Sequence, residues 1–177
     1  QVRAGDQVAI NGASGGVGTF AVQIARALGA EVTAVASASK LETLRGLGAA
    51  EVIDYAREDF TMRAGQYNAI LGINGYHPLA HYARALKPGG RYVMVGGTDA
   101  QIFEALLRAP FTRKRDGRRL GSLTAKATPA DLRALTALIE TGAVKPVIER
   151  CYPLAELADA LRYLDAGHAQ GKLVITM

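Results

Sequence analysis

The chain has 177 residues, of which 49% are hydrophobic and 21% are charged, and its formal net charge is +5 at pH 7. Such a chain can bury the core of one globular domain, and it contains no run of 18 apolar residues that would predict a membrane span. Because Cys151 is the only cysteine, an internal disulfide and a multi-cysteine zinc site are excluded, and we expect a cytoplasmic protein without a signal peptide.

Apolar segments of strand length alternate with segments of helical periodicity, and this order predicts a parallel α/β sheet with helices on both faces. The predicted strands are residues 8–10, 32–36, 52–53, 69–73, 92–95, 120–124 and 173–175. The predicted helices are residues 17–28, 39–48, 79–87, 128–141 and 154–164. The pattern changes after Val144, so we predict one domain over residues 1–145 and a separate C-terminal helix and strand over residues 146–177.

A glycine-rich turn, Gly12-Ala13-Ser14-Gly15-Gly16-Val17-Gly18, joins the first predicted strand to the first predicted helix. Glycines let the backbone turn tightly and approach a pyrophosphate, and the helix N-terminus offers N–H groups and a positive dipole end to that anion. In the register Ala13-x-Gly15-x-x-Gly18, alanine stands at the first glycine of the G-x-G-x-x-G pattern. The position of the turn between a strand and a helix predicts a Rossmann-type, doubly wound dinucleotide-binding domain.

A second register, Gly12-x-x-x-Gly16-x-Gly18, is typical of short-chain dehydrogenases. Those enzymes also resemble one another in a catalytic Tyr-x-x-x-Lys. None of the seven tyrosines in this chain is followed by lysine four residues later, so the sequence disfavours that class.

The end of the second predicted strand indicates which dinucleotide binds. A site selective for NAD carries Asp or Glu there to hold the ribose 2′-hydroxyl, but this chain reads Ser37-Ala38-Ser39-Lys40. Two hydroxyls and a cation suit a 2′-phosphate, which a carboxylate would repel, so we predict NADPH (NADP) as the cofactor. The alternative is that Lys40 is solvated and Ser39 only caps the next helix, whose opening Ser39-Lys40-Leu41-Glu42 is typical of a capping box.

Several further segments, read together with the glycine turn, point to a known family. They are Val2-Arg3-Ala4-Gly5-Asp6, Leu47-Gly48-Ala49, Val52-Ile53-Asp54-Tyr55, Leu86-Lys87-Pro88-Gly89-Gly90 and Gly171-Lys172-Leu173-Val174. This combination resembles the medium-chain dehydrogenase/reductase superfamily, in particular the zinc-independent quinone oxidoreductases of the zeta-crystallin type. The resemblance implies a six-stranded parallel sheet. It also implies that the chain is the cofactor-binding half alone, to which the family adds an N-terminal catalytic domain that carries the zinc ligands when zinc is used.

The resemblance, together with the argument for Ser39, assigns cofactor contacts to individual positions. In chain order these positions are Ser14, Gly15, Gly16, Val17, Ser37, Ser39, Lys40, Tyr55, Asn74, Gly96, Gly97 and Lys172. The first four would face the pyrophosphate and the next three the 2′-phosphate. Tyr55 would lie near the adenosine, the following three positions would flank the nicotinamide, and Lys172 would approach the cofactor phosphates.

Other charged and titratable residues give weaker signals. His77 and His81 share a helical spacing, but no third ligand is evident, so we expect no metal site. The basic run at residues 113–119 lacks an aromatic platform, so we expect a solvated loop and no nucleic-acid binding. The resemblance implies that the edge of the sixth strand pairs across a dimer two-fold, so residues 120–124 are the candidate contact of a homodimer, and such an edge would otherwise be an unpaired template.

The leading interpretation is the cofactor half of an NADPH-dependent quinone or alcohol (enal) oxidoreductase. Such an enzyme transfers a hydride from the nicotinamide to a carbonyl or a conjugated alkene of a small molecule. No catalytic residue is assigned, because the resemblance implies that those residues lie in the other domain, and we expect this chain alone to be weakly active or inactive. Two alternatives stay open: an S-adenosylmethionine methyltransferase, which shares the pattern at residues 86–91, and a non-catalytic NADPH-sensing module.

Overall fold

Six parallel strands form the central sheet of the computed structural model, which describes residues 2–74, 77–96, 116–123, 125–167 and 169–177. The strands are β1 (Gln7–Asn11), β2 (Glu31–Ala36), β3 (Glu51–Asp54), β4 (Tyr67–Gly72), β5 (Leu86–Met94) and β6 (Arg119–Ser122). Their order across the sheet is β3-β2-β1-β4-β5-β6, which is the strand order of doubly wound dinucleotide-binding folds. The fold class predicted from the sequence is confirmed.

Helices among the described residues follow β1, β2, β4 and β6 and also occur in the C-terminal segment. They are α1 (Gly18–Ala27), α2 (Leu41–Gly46), α3 (Leu79–Ala85), α4 (Pro129–Glu140) and α5 (Leu157–Asp165), with shorter 3-10 turns at Ala38–Lys40, Phe60–Met62 and Leu154–Glu156. In the part of the chain that the structure describes, no helix combines the length and the apolar character needed to cross a bilayer.

The core lies in two layers, one on each face of the sheet, because successive side chains along a strand point to opposite faces. Ile10 of β1 belongs to the layer that contains Val22 of α1 and Leu44 of α2. Its neighbour Ala9 belongs to the opposite layer, with Tyr82 of α3. Helices therefore cover both faces, as the alternation of segments predicts.

The helix predicted to open with a capping box at Ser39 begins differently. A 3-10 turn occupies Ala38–Lys40, α2 starts at Leu41, and neither Ser37 nor Lys40 makes a side-chain capping hydrogen bond. The capping-box prediction is wrong here because the backbone begins to turn after Ser37, which leaves Ser39 inside the 3-10 turn. The helix predicted over residues 128–141 does begin with a capping box, since the Thr128 hydroxyl accepts the Asp131 N–H while the Asp131 carboxylate accepts the Thr128 N–H.

A second, two-stranded parallel sheet lies in the C-terminal segment. Its strands are β7 (Ile148–Pro153) and β8 (Lys172–Thr176), and α5 lies between them in sequence. The sequence predicts β8 but not β7, in which Tyr152 is the one buried side chain of six, so that no alternating apolar pattern marks the strand. The closing strand is thus paired with the segment that precedes α5.

The C-terminal segment is attached to α1 through a side-chain amide. Gln23 is 4% exposed. Its Nε2 donates to the Lys145 carbonyl at 2.9 Å, and its Oε1 accepts the Lys145 N–H at 2.8 Å. A buried amide satisfied on both sides is a stable link. The Gly171 N–H also donates to the Ser14 carbonyl at 2.9 Å, which brings β8 beside the glycine turn.

The described end of the basic run, residues 116–119, leads into the sixth strand at one edge of the sheet. Residues 113–115 and Thr124 lie outside the described residues, and β6 is the last strand in the sheet order. The Arg118 side chain pairs with Asp116 at 2.7 Å and donates from Nε to the Leu86 carbonyl at 2.9 Å. Arg118 therefore stabilises the start of β5.

Gly18 and Gly46 are two helical glycines whose replacement should have opposite effects. A β-carbon on Gly18 would lie 2.2 Å from the Gly12 carbonyl oxygen, whereas one on Gly46 would meet nothing within 4 Å. We expect Gly18→Ala to lower the free energy of unfolding by about 1–3 kcal/mol or more, because backbone must shift. The control Gly46→Ala should leave it unchanged or raise it by roughly 0.5–1 kcal/mol. Urea unfolding measures both values, and equal effects would contradict the close packing of turn and helix.

Candidate functional site

The glycine turn follows β1 and leads directly into α1. Gly12 has a φ of +83°, so the tight turn lies there, at a residue that glycine suits best. Ala13, which follows Gly12, is buried. The N–H groups of Gly12 and Ala13 both donate to the Val35 carbonyl, at 3.2 and 3.1 Å, which holds the turn against β2.

The outer face of this turn is open where an anion would approach. A β-carbon on Gly15 would meet only the Gly12 carbonyl oxygen, at 3.8 Å. No side chain caps α1, and its first turn contains no acidic residue. Because the first N–H groups of a helix lack partners within the helix, this end of α1 suits an anionic ligand.

A cleft of about 720 Å³ opens at the carboxyl ends of β1, β2 and β4, and its volume lies within the roughly 300–1,000 Å³ typical of ligand sites. The cleft brings together six of the residues predicted to bind the cofactor: Ser14, Ser37, Ser39, Lys40, Tyr55 and Asn74. Its other lining residues, not predicted from the sequence, are Asn11, Gly12, Val35, Ala36, His77, Tyr163, Ala166, Gly167 and Ala169.

The remaining predicted residues are not among those that line the cleft. Gly15, Gly16 and Val17 form the glycine turn, and Lys172 lies over it, since a β-carbon on Gly16 would be 2.9 Å from the Lys172 Nζ. Gly96 follows β5, and its N–H donates to the Gly72 carbonyl at 3.5 Å. Gly97 lies outside the described residues.

A stack of aromatic rings supports the floor of the cleft. The Asn11 side-chain amide donates to the Tyr82 hydroxyl at 3.3 Å, and the Tyr82 ring stacks on Tyr92 with centroids 4.1 Å apart. Burial raises the pKa of Tyr82, so its hydroxyl stays protonated. The floor is thus rigid and neutral.

Lys40, the cation predicted to bind the 2′-phosphate, is paired in the free chain. Its ammonium lies 3.7 Å from the Glu149 carboxylate, and the two side chains are 19% and 21% exposed. Glu149 also accepts hydrogen bonds from the Tyr163 hydroxyl at 2.9 Å and the Gln170 N–H at 2.7 Å. Burial raises the pKa of Glu149, but these donors and Lys40 outweigh it, so the net pKa lies below its usual value. The carboxylate is therefore charged at neutral pH.

Residues 47–175 match the family model described as zinc-binding dehydrogenase. The chain belongs to this family, which lies within the medium-chain dehydrogenase/reductase superfamily.

Relatives of this dehydrogenase domain include parts of larger proteins. The polyketide synthase system protein NorB of Streptomyces orinoci is 36% identical, over 99% of the chain and 8% of NorB. The chloroplastic NADPH-dependent alkenal/one oxidoreductase of Arabidopsis thaliana is 31% identical, over 97% of the chain and 41% of that protein. The quinone oxidoreductase structure from Coxiella burnetii superposes with a TM-score of 0.85 at 29% identity, over 99% of this chain and 54% of that one.

The chain thus spans about half or less of the length of these relatives. The likeness supports an oxidoreductase domain of the kind that binds a nicotinamide cofactor. It favours the oxidoreductase interpretation over the methyltransferase alternative.

The dehydrogenase domain contains a titratable cluster whose third member the sequence analysis missed. Asp59, His77 and His81 each offer one ligand atom, and these atoms lie within 4.8 Å of one another. Burial raises the pKa of Asp59. The hydrogen bonds from Thr61 and the electrostatic attraction of the nearby histidines outweigh this effect, so the net pKa lies below its usual value. Asp59 lies in the segment between β3 and β4, where no sequence spacing connects it to the two histidines.

We expect Glu149→Ala to lower the free energy of unfolding at pH 7 by about 1–3 kcal/mol, because it leaves Tyr163, Gln170 and Lys40 without their acceptor. Since the folded-state pKa of Glu149 is lowered, its stabilisation is complete above the unfolded-state pKa of about 4.3 and is lost as the pH falls through the folded-state value. The difference between wild type and variant should therefore shrink in acid below about pH 4.

Urea unfolding at several pH values measures this difference. Glu140→Ala, at an exposed residue of α4, is the matched control and should change stability little at any of them. A wild-type advantage over Glu149→Ala that grew toward acid would contradict the ionised acceptor.

Proposed function

We propose that this chain is the NADPH-binding domain of an oxidoreductase that reduces a carbonyl or a conjugated alkene of a small molecule. The observation that carries the proposal is the meeting of an open glycine turn with Ser37, Ser39 and Lys40 around one cleft. Bound NADPH supplies the hydride, and the protein supplies binding, orientation and electrostatics.

The glycine turn fits a pyrophosphate. The absence of a Gly15 side chain leaves room for close approach, and the uncapped start of α1 presents donors and a favourable dipole. Lys172 adds a positive charge over the same turn. These features support binding of any dinucleotide.

Preference for NADPH over NADH rests on the end of β2. Ser37 and Ser39 offer hydroxyls and Lys40 offers an ammonium at the cleft wall, and no carboxylate occupies these positions. A 2′-phosphate would compete with Glu149 for Lys40. Charge-assisted hydrogen bonds of this kind contribute roughly 1.5–3 kcal/mol each. The name of the Arabidopsis relative, which is NADPH-dependent, supports the same choice.

The ends of β4 and β5 indicate where the nicotinamide ring would lie. Asn74, after β4, lines the cleft beside Gly12, and Gly96 follows β5. In the proposed complex these residues flank the nicotinamide. Catalytic groups would come from a substrate domain, so that hydride transfer by this domain alone is expected to be slow, and independence of the reaction from zinc stays a prediction.

The relatives suggest two settings for the same chemistry. A free-standing quinone or enal reductase is favoured by the Coxiella and Arabidopsis proteins. A reductase domain within a polyketide synthase is favoured by the 36% identity to NorB. Cytoplasmic location, the homodimer through β6, the division at residue 145, and the absence of nucleic-acid and membrane partners stay predictions.

Lys40→Ala tests the choice of dinucleotide. We expect the dissociation constant for NADPH to rise roughly 10- to 150-fold, the equivalent of one charge-assisted hydrogen bond, with little change for NADH. Calorimetric titration of the wild-type chain and the variant with both dinucleotides measures this. The control Lys126→Ala, at an exposed residue that does not line the cleft, should bind like wild type. An equal loss for NADPH and NADH would overturn the assignment of Lys40.

Gly15→Ala tests the pyrophosphate site. The added methyl group makes only an ordinary contact within the protein, so the free energy of unfolding should hold, while the affinity for both dinucleotides should fall at least about tenfold, or 1.4 kcal/mol. Unchanged affinity would mean that the turn does not face the ligand.

Reductase turnover of a simple quinone by a protein that contains this domain separates an enzyme from an NADPH-sensing module.

A further inference from the structure

We propose that Asp59, His77 and His81 form a binding site for a divalent transition-metal ion such as Zn²⁺. Imidazole nitrogens and a carboxylate are the ligands that zinc takes in open, three-ligand sites, with water at the fourth position. His81 lies in the first turn of α3 and His77 lies just before that helix, while Asp59 reaches them from the segment before the 3-10 turn at Phe60–Met62.

The distances suit one ion. Ligand atoms about 2.0–2.2 Å from zinc lie at most roughly 4.4 Å from one another. The His77 Nε2 is 3.7 Å from the Asp59 Oδ1, and all three ligand atoms lie within 4.8 Å of one another. The separations therefore exceed the range that one ion requires by at most roughly 0.4 Å.

The existing contacts of these side chains leave ligand positions unused. The separation of 3.7 Å between His77 and Asp59 is too long for a hydrogen bond. The Nδ1 atom of His81 is buried and has no hydrogen-bond partner among the described residues. Buried ring nitrogens are normally paired, so an ion bound at Nδ1 of His81 would satisfy a polar atom that has no partner among the described residues.

Neighbouring side chains orient the ligands. The His77 ring packs edge-to-face on Phe60 and on Tyr82, with centroids 5.8 Å apart in each case. The Asp59 Oδ1 accepts hydrogen bonds from the Thr61 N–H at 2.9 Å and the Thr61 hydroxyl at 2.6 Å. Outer contacts of this kind fix ligand geometry in metal sites.

The site is accessible to an ion from solvent. The side chains of His77 and Asp59 are 27% and 36% exposed, and His77 lines the cofactor cleft. An ion held there would stand at the wall of that cleft, with its remaining coordination position toward water.

Titration of the metal-free chain with Zn²⁺ by calorimetry, without dinucleotide, tests the site, and Co²⁺ serves as a spectroscopic probe. We expect one ion per chain and the visible absorption band of four-coordinate cobalt. Asp59→Asn, His77→Phe and His81→Gln should each weaken binding on the order of tenfold or more and remove the band. His77→Phe keeps a ring against Phe60 and Tyr82, and Asp59→Asn keeps the acceptor of Thr61, so both should remain folded.

His168→Phe and Cys151→Ser are the matched controls, because they replace the remaining histidine and the single cysteine, and they should bind like wild type. Excess Zn²⁺ should also raise the melting temperature of the wild type and the controls but not of the three ligand variants. Absence of binding by the wild type, or binding that depends on His168 or Cys151 and survives the ligand variants, would overturn the site. Since no dinucleotide is present, this result is independent of the NADPH proposal.

Discussion

The pairing of β1 with β2 on one side and with β4 on the other is the constraint on which the cleft depends. All three strands run in the same direction, and their connections pass over opposite faces of the sheet, so no helix covers the carboxyl ends between them. Gly12 follows β1, Ser37 follows β2, and Asn74 comes two residues after the end of β4. Residues distant in sequence therefore meet at one edge, where the glycine turn has open space above it.

The charge balance at the cleft wall sets how strongly a 2′-phosphate can be preferred. Lys40 is not an unpaired cation, because it forms a partly buried ion pair with Glu149. A dinucleotide without the phosphate leaves this pair undisturbed, whereas one with the phosphate brings a second anion to the same ammonium. Separation of a partly buried pair carries a desolvation cost, so the net preference is smaller than an isolated lysine would give. Tyr163 and Gln170 share the carboxylate and ease that competition.

Local pattern was sufficient for the sheet but not for every contact in the site. Apolar strands such as β2, in which five of six residues are buried, can be predicted from the sequence alone. The strand β7 is not, since its polar and exposed residues resemble a loop. Tyr163 lines the cleft and Glu149 pairs with Lys40 only because the fold brings the C-terminal segment beside β2, and Asp59 meets His77 only through the fold.

The pairing of the Gln23 amide with Lys145 has a consequence for the order in which the domain assembles. The two residues are 122 positions apart, and contacts of such long range form late because the intervening chain must first be ordered. During synthesis, the residues that form β1 to β6 leave the ribosome before the segment that carries Glu149 and Tyr163. The side of the cleft formed by the glycine turn and the serines can therefore fold before the side formed by the C-terminal segment. The ion pair between Lys40 and Glu149 at the cleft wall therefore forms only after the C-terminal segment has been synthesised.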